Sequence, residues 1–568
     1  MSTISQWSSL RRGAALAAAL MTTSVLFEAR TEPIRSRKAM VVSQDEIASE
    51  VGVAIMRKGG NAIDAAVATA LTLAVTYPTA GNIGGGGFLL YRPATGDPVA
   101  YDFREMAPGL ASSTMFLQDG QYDPVVHHRS HVAVGVPGTV AGLYLAWTEH
   151  GSLSWRELVE PGIRLAREGF RVSEALASSL AGVLPSMAPY PASMSQFSKQ
   201  GIPYQAGEIL RQSDLARTLE RIAEQGPSGF YDGETADLIV REMVANGGLI
   251  TYDDLLAYRV QRRSPLVGRY RGNEILSVPP VSSGGIAVIE MLNILEGYDL
   301  ASSGSGSAET IHLLIEAMRR AYADRARHLG DPTFNPSMPI ERLISKDYAR
   351  GLQGTINLER ASTSSPQSFV WPSEGTETTH LSVVDQGRNA VSLTYTLEQS
   401  YGAKITIPGG GFLLNNEMGD FNAAPGLTTE TGLIGTFPNL AEPGKRMLSS
   451  MTPTIVARDG RLLLVTGSPG GRTIINTVLM TILNVVDFGM NVQEAVDAPR
   501  IHHQWLPDQT RYERWGVSPD TLELLEQRGH IMVETGVQGA VSAIYYDSKE
   551  DLLEGAEDRR RTSSAVGF

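Results

Sequence analysis

The chain of 568 residues has no cysteine. Structural disulfides, thiolate nucleophiles and cysteine-ligated metals are therefore excluded, while the redox compartment stays open. Positive charge is in deficit: 48 Lys and Arg stand against 61 Asp and Glu, a net charge of −13. Nucleic acid is a poor partner for such a chain, because its binding rests on clustered Lys and Arg. A bilayer-spanning run is also missing. The nearest is the apolar stretch from Gly13 to Phe27, which follows Arg11-Arg12 and is ended by Glu28 and Arg30. It falls short of the ~20 residues a spanning helix needs. A charged start followed by a short apolar region is the plan of a signal peptide. Residues 1–29 are therefore expected to be a signal, and the mature protein is expected to be periplasmic or secreted. Fixed-period repeats, a G-K-[ST] phosphate loop, a G-x-G-x-x-G fingerprint and a G-x-S-x-G nucleophile elbow are absent as well.

Glycine is abundant, 58 residues, and implies many tight turns and close backbone approaches. Asn61 caps an expected helix running to Tyr77, with Asp64 in its first turn and Pro78 beyond its end. "AGNIGGGGFLLY" then leads from a glycine run into an apolar strand. Further on, Ile311, Ile315, Met318 and Tyr322 recur on one face of a helix that starts after Ser307. Residues 354–377 lose all periodicity and are rich in Ser, Thr, Pro and Glu, the best linker in the chain. After it come short β-like alternations: "HLSVVD", "AVSLTYT", "GFLLNN" and "TPTIVARDGRLLLVTG". The expectation is a helix-rich first part and a sheet-rich second part, divided near Thr378.

The strand pattern begins abruptly at Thr378-Thr379. Leu381 and Val383 alternate with His380 and Ser382. Val391, Leu393 and Tyr395 alternate with Ser392, Thr394 and Thr396, and "DQGRN" lies between the two runs. This is a hairpin signature. A turn centred on Gly387 sets Thr378 opposite Thr396, with Cβ atoms ~5 Å apart. A Thr hydroxyl is a poor nucleophile unless a base stands beside it, and a Thr that becomes a chain terminus carries that base as its own α-amine. By itself, however, the pair also reads as two ordinary strand threonines. "VTGSPGGRTIIN" places Gly470-Gly471 between a strand and a helix. Amide groups there suit an oxyanion, although a phosphate loop or mere tight packing gives glycine pairs too.

Taken together, "GNIGGGGF", "DFREMAPG", "GVPGTVAG", "PPVSSGG", "TTHLSVVD", "TYT", "LLNNEMGDF", "KRMLSSMTPTIV" and "TGSPGGR" resemble the γ-glutamyltransferase (γ-glutamyltranspeptidase) family, in its order and over nearly the whole chain after residue 29. The resemblance implies an N-terminal nucleophile hydrolase, an α+β fold in which two stacked sheets lie between helical layers (αββα). It implies a precursor that cuts itself between Glu377 and Thr378 into a large subunit, 30–377, and a small subunit, 378–568, which stay together as a heterodimer. By resemblance Thr378 is the nucleophile, Thr396 contacts its amine, and Gly470 and Gly471 bind the oxyanion. Arg104, Ser449 and Ser450 hold the substrate α-carboxylate, and Glu417 and Asp420 surround its α-ammonium. These residue types suit those charges, since an Arg fork binds a carboxylate bidentately. Glutathione or a related γ-glutamyl compound is the implied donor, and water, an amino acid or a peptide the acceptor.

Two positions depart from the family pattern. Glu398 stands where well-known members often have Asn, and it is expected to contact the ammonium as well. Thr431 stands where many bacterial members have a lid Tyr. Neighbouring histidines, His127-His128, His131 and His502-His503, show no ligand spacing and are expected to be packing residues, so no metal and no organic cofactor is implied. The rival readings are an acylase for glutaryl β-lactams or poly-γ-glutamate, and a non-enzymatic binding protein that never matures.

Overall fold

The computed structural model describes residues 31–365, 378–427, 429 and 435–568. The signal-like segment 1–29, Glu377 and Thr431 lie outside them. Fourteen strands build two seven-stranded sheets. Seven precede the linker: β1 (Ile34–Ser36), β2 (Met40–Ser43), β3 (Gly86–Arg92), β4 (Val99–Phe103), β5 (Gln261–Arg263), β6 (Leu266–Tyr270) and β7 (Asn273–Ser277). Seven follow it: β8 (Thr379–Val384), β9 (Ala390–Thr396), β10 (Thr454–Arg458), β11 (Arg461–Gly467), β12 (Ser542–Asp547), β13 (Leu552–Glu557) and β14 (Ser564–Gly567). One sheet runs β5-β4-β3-β9-β8-β2-β14 and the other β1-β13-β12-β11-β10-β7-β6, with antiparallel neighbours.

The sheets stack face to face. Met40, Val42, Phe88 and Leu90 of the first meet Ile455, Leu464 and Ile544 of the second in one apolar core. Helices α1 (Glu46–Arg57) and α2 (Ala62–Thr76) cover the outer face of the first sheet, where Leu381, Val383, Leu393 and Tyr395 pack. Helices α3 (Gly284–Leu295), α4 (Ala308–His328) and α5 (Thr473–Val486) cover the second. The sequence signals for α2 and α4 translate directly: Asn61 and Asp64 form a reciprocal capping box, and the Ser307 side chain accepts from Thr310 N.

Two expectations change. The chain does not divide into a helical part and a sheet part, because each sheet interleaves strands from before and after the linker. Strand pairing is long-range, so periodicity along the chain does not reveal which segments share a sheet. "GFLLNN" forms only a bridge, Thr406↔Leu413, rather than a strand.

The hairpin alternation takes an unexpected meaning. Both of its faces are buried. The apolar residues face the helices, while the polar ones face the second sheet: Ser382 Oγ donates to Ser542 O at 2.9 Å and Ser392 Oγ to Thr466 O at 3.0 Å. A buried hydroxyl left unpaired would cost ~1–3 kcal/mol, so these bonds are what make a polar inner face tolerable.

Candidate active site

The β8–β9 register pairs Thr379 with Tyr395 and His380 with Thr394. Extended by one position, it sets Thr378 against Thr396, as a turn centred on Gly387 requires. Thr378 Oγ1 lies 3.4 Å from Thr396 Oγ1, which also accepts from Glu398 N at 2.9 Å. Both threonines are on the inter-sheet face, 4% and 3% exposed. The glycine run before β3 makes this placement sterically feasible. A Cβ on Gly85 would lie 2.0 Å from Thr396 O, and one on Gly87 would lie 2.4 Å from Thr394 O. Asn82 Nδ2 ties the same Thr396 carbonyl at 2.9 Å. Tight packing is therefore the reading that holds for "GNIGGGG".

One small cleft is lined by Arg104, Thr378, Thr396, Glu398, Glu417, Asp420, Ser449, Ser450, Met451, Gly471 and Ile474. Gly470 precedes α5 at φ 130° and Gly471 follows at φ 55°, backbone that favours glycine. A Cβ on Gly470 would also strike Thr473 Oγ1 at 2.5 Å. A wider cavity of about 530 Å³ lies near Asp45 and Arg171, away from Thr378 and Arg104.

Arg104 is 1% exposed and holds the centre of the charged wall. Its guanidinium pairs with Glu417 and Asp420, approaches Glu105 at 3.5 Å, and donates through Nε to Met447 O at 3.3 Å. Burial alone would lower its pKa, but these carboxylates hold it above its ordinary value. Burial acts on the carboxyls in the opposite sense. Burial pushes Glu105 up to about 8 and Glu417 well above its usual range, with Arg104 only partly offsetting it. Among the described residues Glu105 Oε1 and Glu417 Oε1 have no hydrogen-bond partner. Glu398 sits at φ 80°, receives a hydrogen bond from Asn416 Nδ2, and has Oε1 3.5 Å from His128 Nδ1.

In the same cleft the Ser449-Ser450 backbone is gripped by the loop before α3. Ser283 N and Oγ donate to Ser449 O at 2.8 and 2.6 Å.

Of the residues singled out in the sequence, Arg104, Thr378, Thr396, Glu398, Glu417, Asp420, Ser449, Ser450 and Gly471 line this one cleft, and three neighbours were not among them. His128 touches Glu398 rather than merely packing, unlike His127, which is buried against Phe116. Asn416, inside "NNEMGD", orients Glu398. Arg325 stands behind Ser450, and only the apolar face of its helix was visible in the sequence. Among the described residues no group of three or more His, Asp or Glu is placed to hold a metal ion.

The family model for γ-glutamyltranspeptidase matches residues 48–568. The chain belongs to the γ-glutamyltranspeptidase family. A relative named glutathione hydrolase proenzyme, from Escherichia coli strain K12, is 47% identical over 543 residues, 94% of this chain and 93% of its own. The crystal structure of cephalosporin acylase from Bacillus halodurans is similar at a TM-score of 0.83 and 26% identity, covering 96% of this chain and 98% of that one. The γ-glutamyltranspeptidase of Helicobacter pylori is 43% identical with a TM-score of 0.55, over 56% of this chain and 91% of that one. The fold of this family is the αββα arrangement of N-terminal nucleophile hydrolases, as the two stacked sheets and their helical covers here display.

Proposed function

We propose that the chain is a self-processing γ-glutamyltransferase/hydrolase whose donor is glutathione or a related γ-glutamyl compound. The observation that carries this reading is the shared cleft. The Thr378 hydroxyl opens onto the same space as Arg104, Ser449 and Ser450, which suit an α-carboxylate, and Glu398, Glu417 and Asp420, which suit an α-ammonium. A γ-glutamyl group carries both charges at one end and its reactive carbonyl at the other.

In this mechanism cleavage between Glu377 and Thr378 frees the Thr378 α-amine, and Thr396 Oγ1 holds it. Thr378 Oγ attacks the γ-carbonyl while the amine takes the hydroxyl proton. The Gly470 and Gly471 amides hold the oxyanion. The tetrahedral adduct collapses, the C–N bond breaks, and the proton passes from the α-amine to the leaving amine. The γ-glutamyl ester on Thr378 is then opened by water, giving glutamate, or by an amino-acid or peptide amine, giving a new γ-glutamyl amide. The large (30–377) and small (378–568) subunits remain a heterodimer because each sheet contains strands of both. No cofactor is needed by this chemistry. Export to the periplasm or medium rests on the signal-like pattern of residues 1–29. No helix among the described residues is long and apolar enough to cross a membrane.

An acylase activity is the second reading, favoured by the likeness to the Bacillus halodurans enzyme. The three carboxylates weigh against a glutaryl group, which has no ammonium to meet them. The deciding experiment is intact mass spectrometry of wild type and Thr378→Ala, with turnover of γ-glutamyl and glutaryl anilides. Two fragments with the smaller beginning at Thr378, an uncut mutant and preference for the γ-glutamyl anilide are expected. A wild type that stays one chain would leave the binding-protein reading standing, and faster turnover of the glutaryl anilide would move the assignment to acylase.

A further inference from the structure

The "PPVSSGG" motif, residues 279–285, has no part in the chemistry above, yet it packs directly behind the carboxylate wall. Ser449 N donates to Val281 O at 3.1 Å, and Ser282 Oγ donates to Met451 O at 2.5 Å. A Cβ on Gly284 would lie 2.1 Å from Thr452 Oγ1 and 2.7 Å from Met451 O. The loop is thus shaped to clamp the backbone of 449–452. Beneath it runs Arg325 of α4, 1% exposed. Its Nε donates to Ser283 Oγ at 2.7 Å and its Nη2 to Ser450 Oγ at 3.0 Å. Ser283 Oγ in turn donates to Ser449 O at 2.6 Å. One buried guanidinium therefore reaches both serines of the wall, one directly and one through Ser283.

We propose that Arg325 is a positioning residue for the substrate α-carboxylate and the second cation of that subsite, acting through Ser450 and Ser283. The inference rests on the γ-glutamyl reading of the cleft. Two physical arguments carry it. First, Arg104 is already shared by Glu417, Asp420 and Glu105, so a carboxylate arriving there must share that one guanidinium with them, and further positive charge must come from elsewhere. A carboxylate that accepts from Ser450 stands two hydrogen bonds, ~6 Å, from the Arg325 guanidinium, and burial removes the water that would screen it. Second, a hydroxyl that accepts from a cation becomes a stronger donor. With Arg325 on its acceptor side, the Ser450 hydroxyl is a better donor to a carboxylate that enters the cleft.

The test uses the mature wild type, Arg325→Lys and Ser283→Ala. Lys keeps the charge but lacks the fork that spans both serines. Ser283→Ala removes one link without emptying the space under the wall. Self-cleavage into two subunits and the melting temperature report folding. Steady-state constants are taken with a γ-glutamyl anilide, together with inhibition constants for L-glutamate and for its α-carboxamide, isoglutamine. For Arg325→Lys, KM and the inhibition constant of L-glutamate are expected to rise about tenfold or more, the size of a lost hydrogen bond to a charged group. The kcat and the inhibition constant of isoglutamine are expected to stay near wild type, with Ser283→Ala moving the same two constants less. An equal rise for glutamate and isoglutamine, a loss confined to kcat, or no change would overturn the positioning role while leaving the γ-glutamyl reading intact. A processed wild type without γ-glutamyl turnover would overturn both.

Discussion

Two buried arginine clusters in this molecule use the same side chains to opposite ends. Around Arg319 and Arg320 on α4 the charges balance. Glu316 accepts from Arg320 Nη1 at 2.6 Å and from Ser362 N at 3.0 Å, and Asp508 pairs with Arg319 and accepts from Ser364 N at 2.7 Å. His503 Nε2 joins Asp508 at 3.3 Å, and His312 Nε2 reaches Asn357 O at 2.8 Å. Although burial opposes it, these partners hold Glu316 down to about 2 and Asp508 below the usual range. Around Arg104 they do not balance: one guanidinium faces Glu105, Glu417 and Asp420, with Glu398 in the same cleft, and burial pushes carboxyl pKa values up. The first cluster fastens residues 357–364 to the body of the protein. The second leaves one guanidinium shared among several carboxyls, and on the proposed reading a substrate ammonium joins them. A buried cation–carboxylate group thus marks function when its charges fail to close and scaffold when they do.

Removing the central charge of each cluster should damage different properties of the protein. Arg104→Met should lower kcat/KM for a γ-glutamyl anilide at least about thirtyfold, since losing one partner of a buried charge pair costs about 2–5 kcal/mol. Its melting temperature should fall little, because Glu105 and Glu417 already favour the proton they would then keep. Equal damage to both quantities would show that Arg104 is chiefly structural.

The balanced cluster should behave in reverse. Glu316→Gln is expected to cost about 3 kcal/mol in denaturant unfolding, with kcat/KM of the processed enzyme within about twofold. The pH dependence has opposite signs in the two places. Glu316, depressed in the fold, contributes stability that is present above its unfolded value of about 4.5 and is lost as pH falls through about 2. His503 acts in the same direction: burial lowers it to about 4, so stability is lost as pH falls from about 6.5 towards that value. Glu105 is raised to about 8, so its contribution is full at low pH and is lost as pH rises through that value. Urea unfolding from pH 4 to 9 should therefore show an alkaline loss that Glu105→Gln removes and an acid loss that it leaves alone.

How much of this was legible in the sequence follows from the range of the interactions. The hairpin opposition of Thr378 and Thr396 was legible because turn and alternation are local, and the caps at Asn61 and Ser307 for the same reason. The wall residues came only through resemblance, since nothing local ties Arg104 to Asp420 or Ser450. The interleaved sheets and Arg325 were hidden. Strand order depends on pairings hundreds of residues apart, and an arginine on a helix whose apolar stripe is plain looks solvent-exposed until the loop that covers it is known. His128 was read as a packing residue because the histidines show no ligand spacing, and only the fold shows that it lies against Glu398.

The smallest expected effect concerns Glu398, the residue that adds to the charge surplus beyond the family's usual pattern. Glu398→Asn leaves Glu417 and Asp420 in place, so the ammonium site is weakened rather than abolished. The substitution is also unusually clean. Position 398 has φ 80°, a conformation Asn adopts more readily than Glu, so backbone strain should fall and the melting temperature should hold or rise slightly. Any loss of binding then belongs to charge. A rise of about three- to tenfold in KM for the γ-glutamyl anilide is expected, ~0.7–1.4 kcal/mol, and the glutaryl anilide, which lacks the ammonium, should gain relative to it. If the ratio between the two donors is the same in wild type and Glu398→Asn, Glu398 does not meet the ammonium. Its contacts with Asn416 and His128 would then be structural, and the ammonium would be left to Glu417 and Asp420.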